Sequence, residues 1–286
     1  MNIKVKKIDV AKRDRVAGAI FGFAIGDAMG ATTEFMTKEQ IACSFKSGKV
    51  TNIIGGGWLD LKPGEVTDDT QMTLCVIRAF VRTCGIKSRE DFDHVFMKEL
   101  KKEFVKWLDS NPKDVGNQCL KAIKGMKHGN MVAERNSESL GNGSLMRAMP
   151  LAVLNERYLN EIQGKMTHNN TRCSKIISKY TEIMQGFING ILFTDFSYSH
   201  RNPTGFIEDT FSNSIYWCCR DSFEEAMLGA VNDGGDADTI GAITGSLAGA
   251  RFGLSGIPER WVKQLNRNVK ISMTNFKKFA FNYLQI

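Results

Sequence analysis

Asn232-Asp233-Gly234-Gly235-Asp236-Ala237-Asp238-Thr239 leads without a break into a run of small and apolar residues, Ile240 to Phe252. The two glycines make a bare, tight turn. Two carboxylates and a hydroxyl follow at Asp236, Asp238 and Thr239. The run behind them reads as a buried helix. Residues two apart do not share a helical face, so the two aspartates converge only by wrapping around a common point in the turn or the first helical turn. Two readings fit. Acids at a helix N-terminus interact well with its dipole and can cap it. Carboxylates at the mouth of a buried element also require cationic compensation, and a hard cation with oxygen ligands suits that geometry.

Within the run, Gly241, Gly245, Gly249 and Gly253 recur every fourth residue. The same spacing occurs at Gly18, Gly22, Gly26 and Gly30, in a segment whose Val16, Ala19, Ile20, Phe23 and Ala24 fall at helical intervals. Glycine inside a helix costs about 1 kcal/mol relative to alanine. Two such ridges imply that something packs very close to each backbone. The charged residues Asp27 and Arg251 argue against a membrane dimer motif. Both helices are expected to be central, and each ridge is a candidate neighbour for the other.

The rest of the chain repeats these devices. Gly55-Gly56-Gly57-Trp58 and Lys62-Pro63-Gly64 are loop signals. Thr67-Asp68-Asp69-Thr70 then opens an apolar run, with Thr67 at the N-cap position and both acids in the first turn. Ser88 caps a scaffold helix striped by Phe92, Val95, Phe96, Leu100, Phe104, Trp107 and Leu108. Asn111-Pro112 precedes a helix predicted over 113–127. Leu140-Gly141-Asn142-Gly143-Ser144 is a glycine-rich turn, either a plain turn or one presenting N–H groups to phosphate. Thr167-His168-Asn169-Asn170 precedes a helix predicted over 172–192, and Ser222-Phe223-Glu224-Glu225 is a capping box for a helix ending near Val231. His94, His128 and His200 have no carboxylate or cysteine context and receive no role. Strand-like alternation is absent almost everywhere, so the expected fold class is all-α.

Composition narrows the partners. With 286 residues, 42% hydrophobic and 24% charged, and only 5 prolines, the chain reads as one globular domain over 1–286 with no visible linker. The formal charge of +7 sits at the ends, and the body from 16 to 258 is about −2. A nucleic-acid groove needs positive charge beside aromatic platforms along the body, so nucleic acid is not an expected partner. Seven irregularly spaced cysteines read as reduced thiols in a cytoplasmic protein. No apolar signal region follows Met1 to Lys7, and no apolar run approaches bilayer length.

Taken together, four motifs carry a resemblance. Gly26-Asp27-Ala28-Met29-Gly30 with Glu34, Gly64 to Met72, Gly141 to Arg147, and Gly234 to Thr239 stand in the order found in the ADP-ribosylglycohydrolase family. The similarity covers about residues 14–262. It implies a compact orthogonal helical bundle with a central binuclear metal cleft holding two divalent cations, Mg²⁺ or Mn²⁺. Carried over by motif, the metal ligands are Thr67, Asp68, Asp69, Asp236, Asp238 and Thr239. Glu34 is expected to orient substrate or move a proton, and it joins Asp68 and Asp69 as the catalytic set. Asn142, Gly143, Ser144, Met146 and His168 would bind the ADP-ribose.

The activity so implied is hydrolysis of the bond between ADP-ribose and an acceptor, arginine on a protein first among them. The substrate would be an ADP-ribosylated protein or an ADP-ribosyl small molecule. The alternatives are an immunity or counter-toxin protein that binds without turnover, hydrolysis of a serine, nucleobase or other ADP-ribosyl linkage, and a purely structural protein.

Overall fold

The structure, a computed structural model, describes residues 9–86, 88–191 and 198–286. Among the described residues the chain forms thirteen α-helices and no strand. They are α1 (Val10–Gly30), α2 (Lys38–Ser44), α3 (Asp68–Thr83), α4 (Arg89–Asp109), α5 (Asn117–Lys127), α6 (Met149–Val153), α7 (Arg157–Lys165), α8 (Thr171–Ile188), α9 (Ile207–Cys218), α10 (Phe223–Val231), α11 (Ala237–Phe252), α12 (Glu259–Gln264) and α13 (Arg267–Tyr283). The helix expected to run to residue 192 ends at Ile188, where Asn189 is its C-cap and Gly190 takes a φ of +80°. Residue 192 itself and the basic stretch before residue 9 lie outside the described residues.

The two glycine ridges meet. Gly18 faces Gly249, Gly22 faces Gly245 and Gly26 faces Gly241, so α1 and α11 lie antiparallel. A Cβ added to any of these six would be driven into the carbonyl of its opposite number. One rung further, Gly30 abuts the backbone of Ala237. Every residue from Val16 to Gly30 and from Ala237 to Ala250 is buried. Helices apolar on all sides belong at the centre of a protein. Gly253 is not a rung: its φ of +78° ends α11, and a side chain there would strike the Asp14 carboxylate.

This contact sets the frame for α3. Asp27, in the last turn of α1, accepts hydrogen bonds from the Thr67 and Thr70 amides at 2.9 Å each. The start of α3 is thereby pinned beside the end of α1. Thr67 is the N-cap and accepts from the Asp69 amide. At its other end, Phe80 packs edge-on against Phe92 and Phe96 of α4 and against Phe279 and Tyr283 of α13. One continuous apolar cluster takes residues from α1 and from α3 through α13. Among the described residues no helix is long and apolar enough to cross a membrane.

A second predicted boundary is corrected. The helix expected from 113 begins at Asn117, and 113–116 is a loop. Asn111 takes a left-handed φ of +55°, and the Asp114 carboxylate bonds the adjacent Val115 amide. Such local side-chain bonds compete with helix formation.

The close contact makes a stability prediction. Gly22→Ala or Gly245→Ala must push two central backbones apart and should cost about 3 kcal/mol, the upper end for overpacking. Gly85→Ala, where a Cβ meets open space, should stay within roughly 0.5 kcal/mol of the parent. Chemical denaturation midpoints check this, and equal midpoints for all three variants would refute the backbone contact.

Candidate active site

A cleft of about 540 Å³ opens where the end of α1 and the starts of α3 and α11 converge. Asp68 and Asp69 enter it from the first turn of α3, Asp236 and Asp238 from the start of α11, and Glu34 from the loop after α1. Their oxygens form two groups whose members lie within 4.8 Å of one another: Glu34, Asp236 and Asp238, and Asp68, Asp69 and Asp238. Asp238 belongs to both. Thr239 Oγ1 reaches Asp69 Oδ1 at 3.4 Å, closing the gap between α11 and α3.

The loops that deliver these groups are tightly constrained. Gly234 and Gly235 have φ of +78° and +60°, and a Cβ on either would collide with the carbonyl of Met36 or Pro203. Gly235 N donates to Met36 O at 2.9 Å, and Phe35 N donates to Gly235 O at 2.7 Å. Phe35 itself holds a φ of +63°, a strained value for an aromatic residue. Glu34, 4% exposed, accepts a 2.7 Å hydrogen bond from Trp58 Nε1. The Phe35 and Trp58 rings stand 5.4 Å apart at the rim, 64% and 51% exposed.

Burial dominates the electrostatics. It pushes Glu34 and Asp68 up to about 8, and Asp236 up to about 6 although Asn142 bonds its carboxylate. Asp69 and Asp238 are pushed well above the ordinary range, first by burial and then by the charges of their acidic neighbours. Glu103 shows the contrast. Burial acts to raise it too, but Arg78 and Arg82 bond its two oxygens and hold it below the usual range. The cleft acids form no ion pair among the described residues. Asp69 Oδ2 is buried with no hydrogen-bond partner among them. An orphaned carboxylate oxygen inside a ring of hard oxygen donors fits a divalent cation.

Opposite the acids, Asn142, Gly143 and Ser144 form one turn of 3₁₀-helix. The Gly141–Gly143 turn lines the cleft with Met146 and His168. Asn142 binds the two walls together: its amide nitrogen donates to Asp236 Oδ2 and to Thr210 Oγ1. His168 is buried behind the turn, and a Cβ on Gly143 would lie 2.8 Å from its Cε1.

The cleft therefore gathers Glu34, Asp68, Asp69, Asn142, Gly143, Met146, His168, Asp236, Asp238 and Thr239. Thr67 and Ser144 are buried just behind its walls rather than lining them. Sequence reasoning passed over Asp114, which faces the cleft from the loop before α5. It also missed Trp58 and the capping role of Asp27. His200, given no role, has a carboxylate partner: its Nε2 lies 2.6 Å from buried Asp233, which Lys38 also holds at 2.6 Å.

Comparison with known proteins gives the family and the fold. The family model for ADP-ribosylglycohydrolase matches residues 9–191 and 192–280. The ADP-ribosyl-dinitrogen reductase glycohydrolase of Rhodospirillum rubrum is 34% identical over 281 residues, covering 90% of this chain and 92% of its own. The ADP-ribosylarginine hydrolase Tri1 of Serratia proteamaculans is 28% identical over 299 residues, covering 91% and 77%. A solved ADP-ribosylglycohydrolase-related protein complex superposes with a TM-score of 0.78 at 26% identity, covering 94% of this chain and 99% of that one. The acid-lined cleft between α1, α3 and α11 thus sits in a chain that belongs to the ADP-ribosylglycohydrolase family of hydrolytic enzymes.

Proposed function

We propose that the protein removes ADP-ribose from modified arginine on a protein, and that two divalent cations, Mg²⁺ or Mn²⁺, serve the reaction. The observation that carries the metal reading is the pair of acidic groups sharing Asp238. The arginine linkage is supported by the name of one relative, an ADP-ribosylarginine hydrolase, and the protein carrier by the name of another, which acts on ADP-ribosyl-dinitrogen reductase.

Asp68, Asp69 and Asp238 would hold one ion, and Glu34, Asp236 and Asp238 face the place of the other, with Thr67 and Thr239 as hydroxyl donors beside them. Bound ions of this kind supply Lewis acidity and a template for ribose hydroxyls. The protein's own residues do the rest. Leaving-group departure builds positive charge on the ribose, and the cleft's carboxylates are placed to stabilise it. Glu34, fixed by the Trp58 indole, orients the substrate or moves a proton. Asn142, Gly143 and His168 take the phosphates, with Met146 against the ribose and Ser144 supporting the turn from behind.

Three outcomes follow. Asp238→Ala removes the shared ligand, so metal analysis should find both ions lost, with release of ADP-ribose from an arginine-modified protein down at least about 100-fold. Full turnover in that variant would end the two-ion reading. Glu34→Gln should keep its metal while turnover falls roughly 10²- to 10⁴-fold.

The third concerns pH. Asp68 and Glu34 keep their protons up to about 8 when folded, against ordinary values of 3.8 and 4.5. Between those limits the metal-free folded state binds more protons than the unfolded chain. Its stability is therefore greatest in acid and falls as pH rises toward 8. In EDTA the melting temperature should drop between pH 5 and pH 8 by more than it does with Mg²⁺ or Mn²⁺ present. Parallel curves would count against metal binding at these acids.

A further inference from the structure

Arg147 is 0% exposed and has no carboxylate partner among the described residues. A guanidinium held away from water must be compensated by other means. Its nitrogens donate to the carbonyl of Gly143, to the carbonyl of Gln163 at 2.7 Å and to Thr167 Oγ1 at 2.7 Å, and its central carbon lies 4.9 Å from the centre of the Phe104 ring. The two carbonyl contacts are ordinary bracing. The bond to the hydroxyl has a chemical consequence.

Arginine only donates, so Thr167 Oγ1 is the acceptor in that bond. The threonine hydroxyl keeps one hydrogen to give. Its partner at 2.8 Å is His168 Nδ1. Cys119 Sγ is the other candidate beside it, but burial pushes that thiol up to about 11, and a protonated thiol is a weak acceptor. The hydrogen therefore goes to Nδ1, which must be unprotonated. Burial first, and the Arg147 charge second, push His168 down to about 3, so the ring is neutral. A neutral ring with a bare Nδ1 carries its proton on Nε2.

That edge of the ring faces the cleft turn. A Cβ on Gly141 would lie 3.3 Å from Nε2, and among the described residues Nε2 has no hydrogen-bond partner. We propose that Arg147 is a positioning residue: through the Thr167 hydroxyl it locks His168 in the tautomer that presents Nε2–H as a donor to the anionic part of the substrate at the Gly141–Gly143 turn. The inference deepens the ADP-ribose reading above and rests on it for the identity of the anion. It also accounts for the unpaired guanidinium: a carboxylate partner would cancel positive charge that the phosphates meet beneath the turn.

The test separates the relay from the ligand. Arg147 braces the turn and its variants can fail to fold, so the variants are Thr167→Val and Thr167→Ser, each checked for an unchanged helical spectrum. Nitrogen-15 NMR of the ligand-free protein should show His168 protonated on Nε2 in the parent and in Thr167→Ser. In Thr167→Val, Nδ1 should take up the proton. KM for an ADP-ribosylated substrate should then rise about tenfold, the worth of one hydrogen bond to a charged group, with kcat changed less than about twofold. Thr167→Ser should restore both tautomer and KM. A parent His168 protonated on Nδ1, or a Thr167→Val protein with unchanged tautomer and KM, overturns the relay. If the parent fails to bind ADP-ribose while the tautomer still follows Thr167, the relay stands and the identity of the anion falls.

Discussion

The contact between the α1 and α11 backbones is the constraint from which the site follows. Carbonyl meets glycine at successive turns, so the two helices can neither slide nor separate without opening a void or a clash. Because they are antiparallel, the end of one lies beside the start of the other, at Gly30 and Ala237. Glu34 leaves from the first end and Asp236 and Asp238 enter at the second. Asp27, still within α1, draws the start of α3 to the same place. Acids from three distant parts of the chain are thereby assembled by elements that have almost no freedom. Such rigidity is what a site needs when its groups repel one another.

The repulsion is substantial. Glu103 shows how a buried carboxylate is neutralised elsewhere in this protein, with two arginines on its oxygens. Among the described residues no arginine does this in the cleft. The buried guanidinium of Arg147 is turned toward carbonyls and a threonine on the opposite wall. The cleft thus separates an acidic wall from a wall of amides and a masked positive charge. Under the proposed function, a molecule with a polyhydroxylated sugar at one end and phosphates at the other would match that division, with cations between sugar and acids.

Much of this was legible in the sequence, and the exceptions share a cause. The glycine ridges, the acidic helix starts and the scaffold stripe of α4 are local patterns, and each leaves a periodic or capping signature. The pairing of the ridges was inferable too, because glycine at every fourth position weakens a helix unless a second backbone lies against it. Asp114, Trp58 and Asp27 left no such mark. Asp114 looks like a residue of a helix that in fact starts at Asn117. Trp58 looks like a loop aromatic until the chain folds its indole onto Glu34, 24 residues away. Asp27 looks like an interruption of a ridge, and its bonds to the start of α3 span 40 and 43 positions. His200 was passed over for the same reason, since Asp233 is remote in sequence. Contacts between distant segments set these roles, and a single sequence does not display them.

The acidic helix starts admit capping or cation binding, and the hydrogen bonds separate the two. If the acids were caps, their oxygens would be spent on helix amides. At α3 that work is done by others: Thr67 takes the Asp69 amide, and Asp27 takes those of Thr67 and Thr70. At α11 the N-cap residue Asp236 makes no side-chain capping bond, and its carboxylate turns instead to Asn142. Asp238 does accept from the Thr239 amide at 2.8 Å, but with one oxygen. Capping therefore explains the position of these residues in sequence and leaves most of their oxygens over. Asp69 Oδ2, buried and without a donor, is the clearest remainder. In a region where burial already pushes every acid upward, such an oxygen is satisfied by a proton or by a cation. A proton would neutralise one carboxylate at a time. A divalent cation at the junction of the two groups would neutralise several at once, and Asp238 is the acid common to both groups.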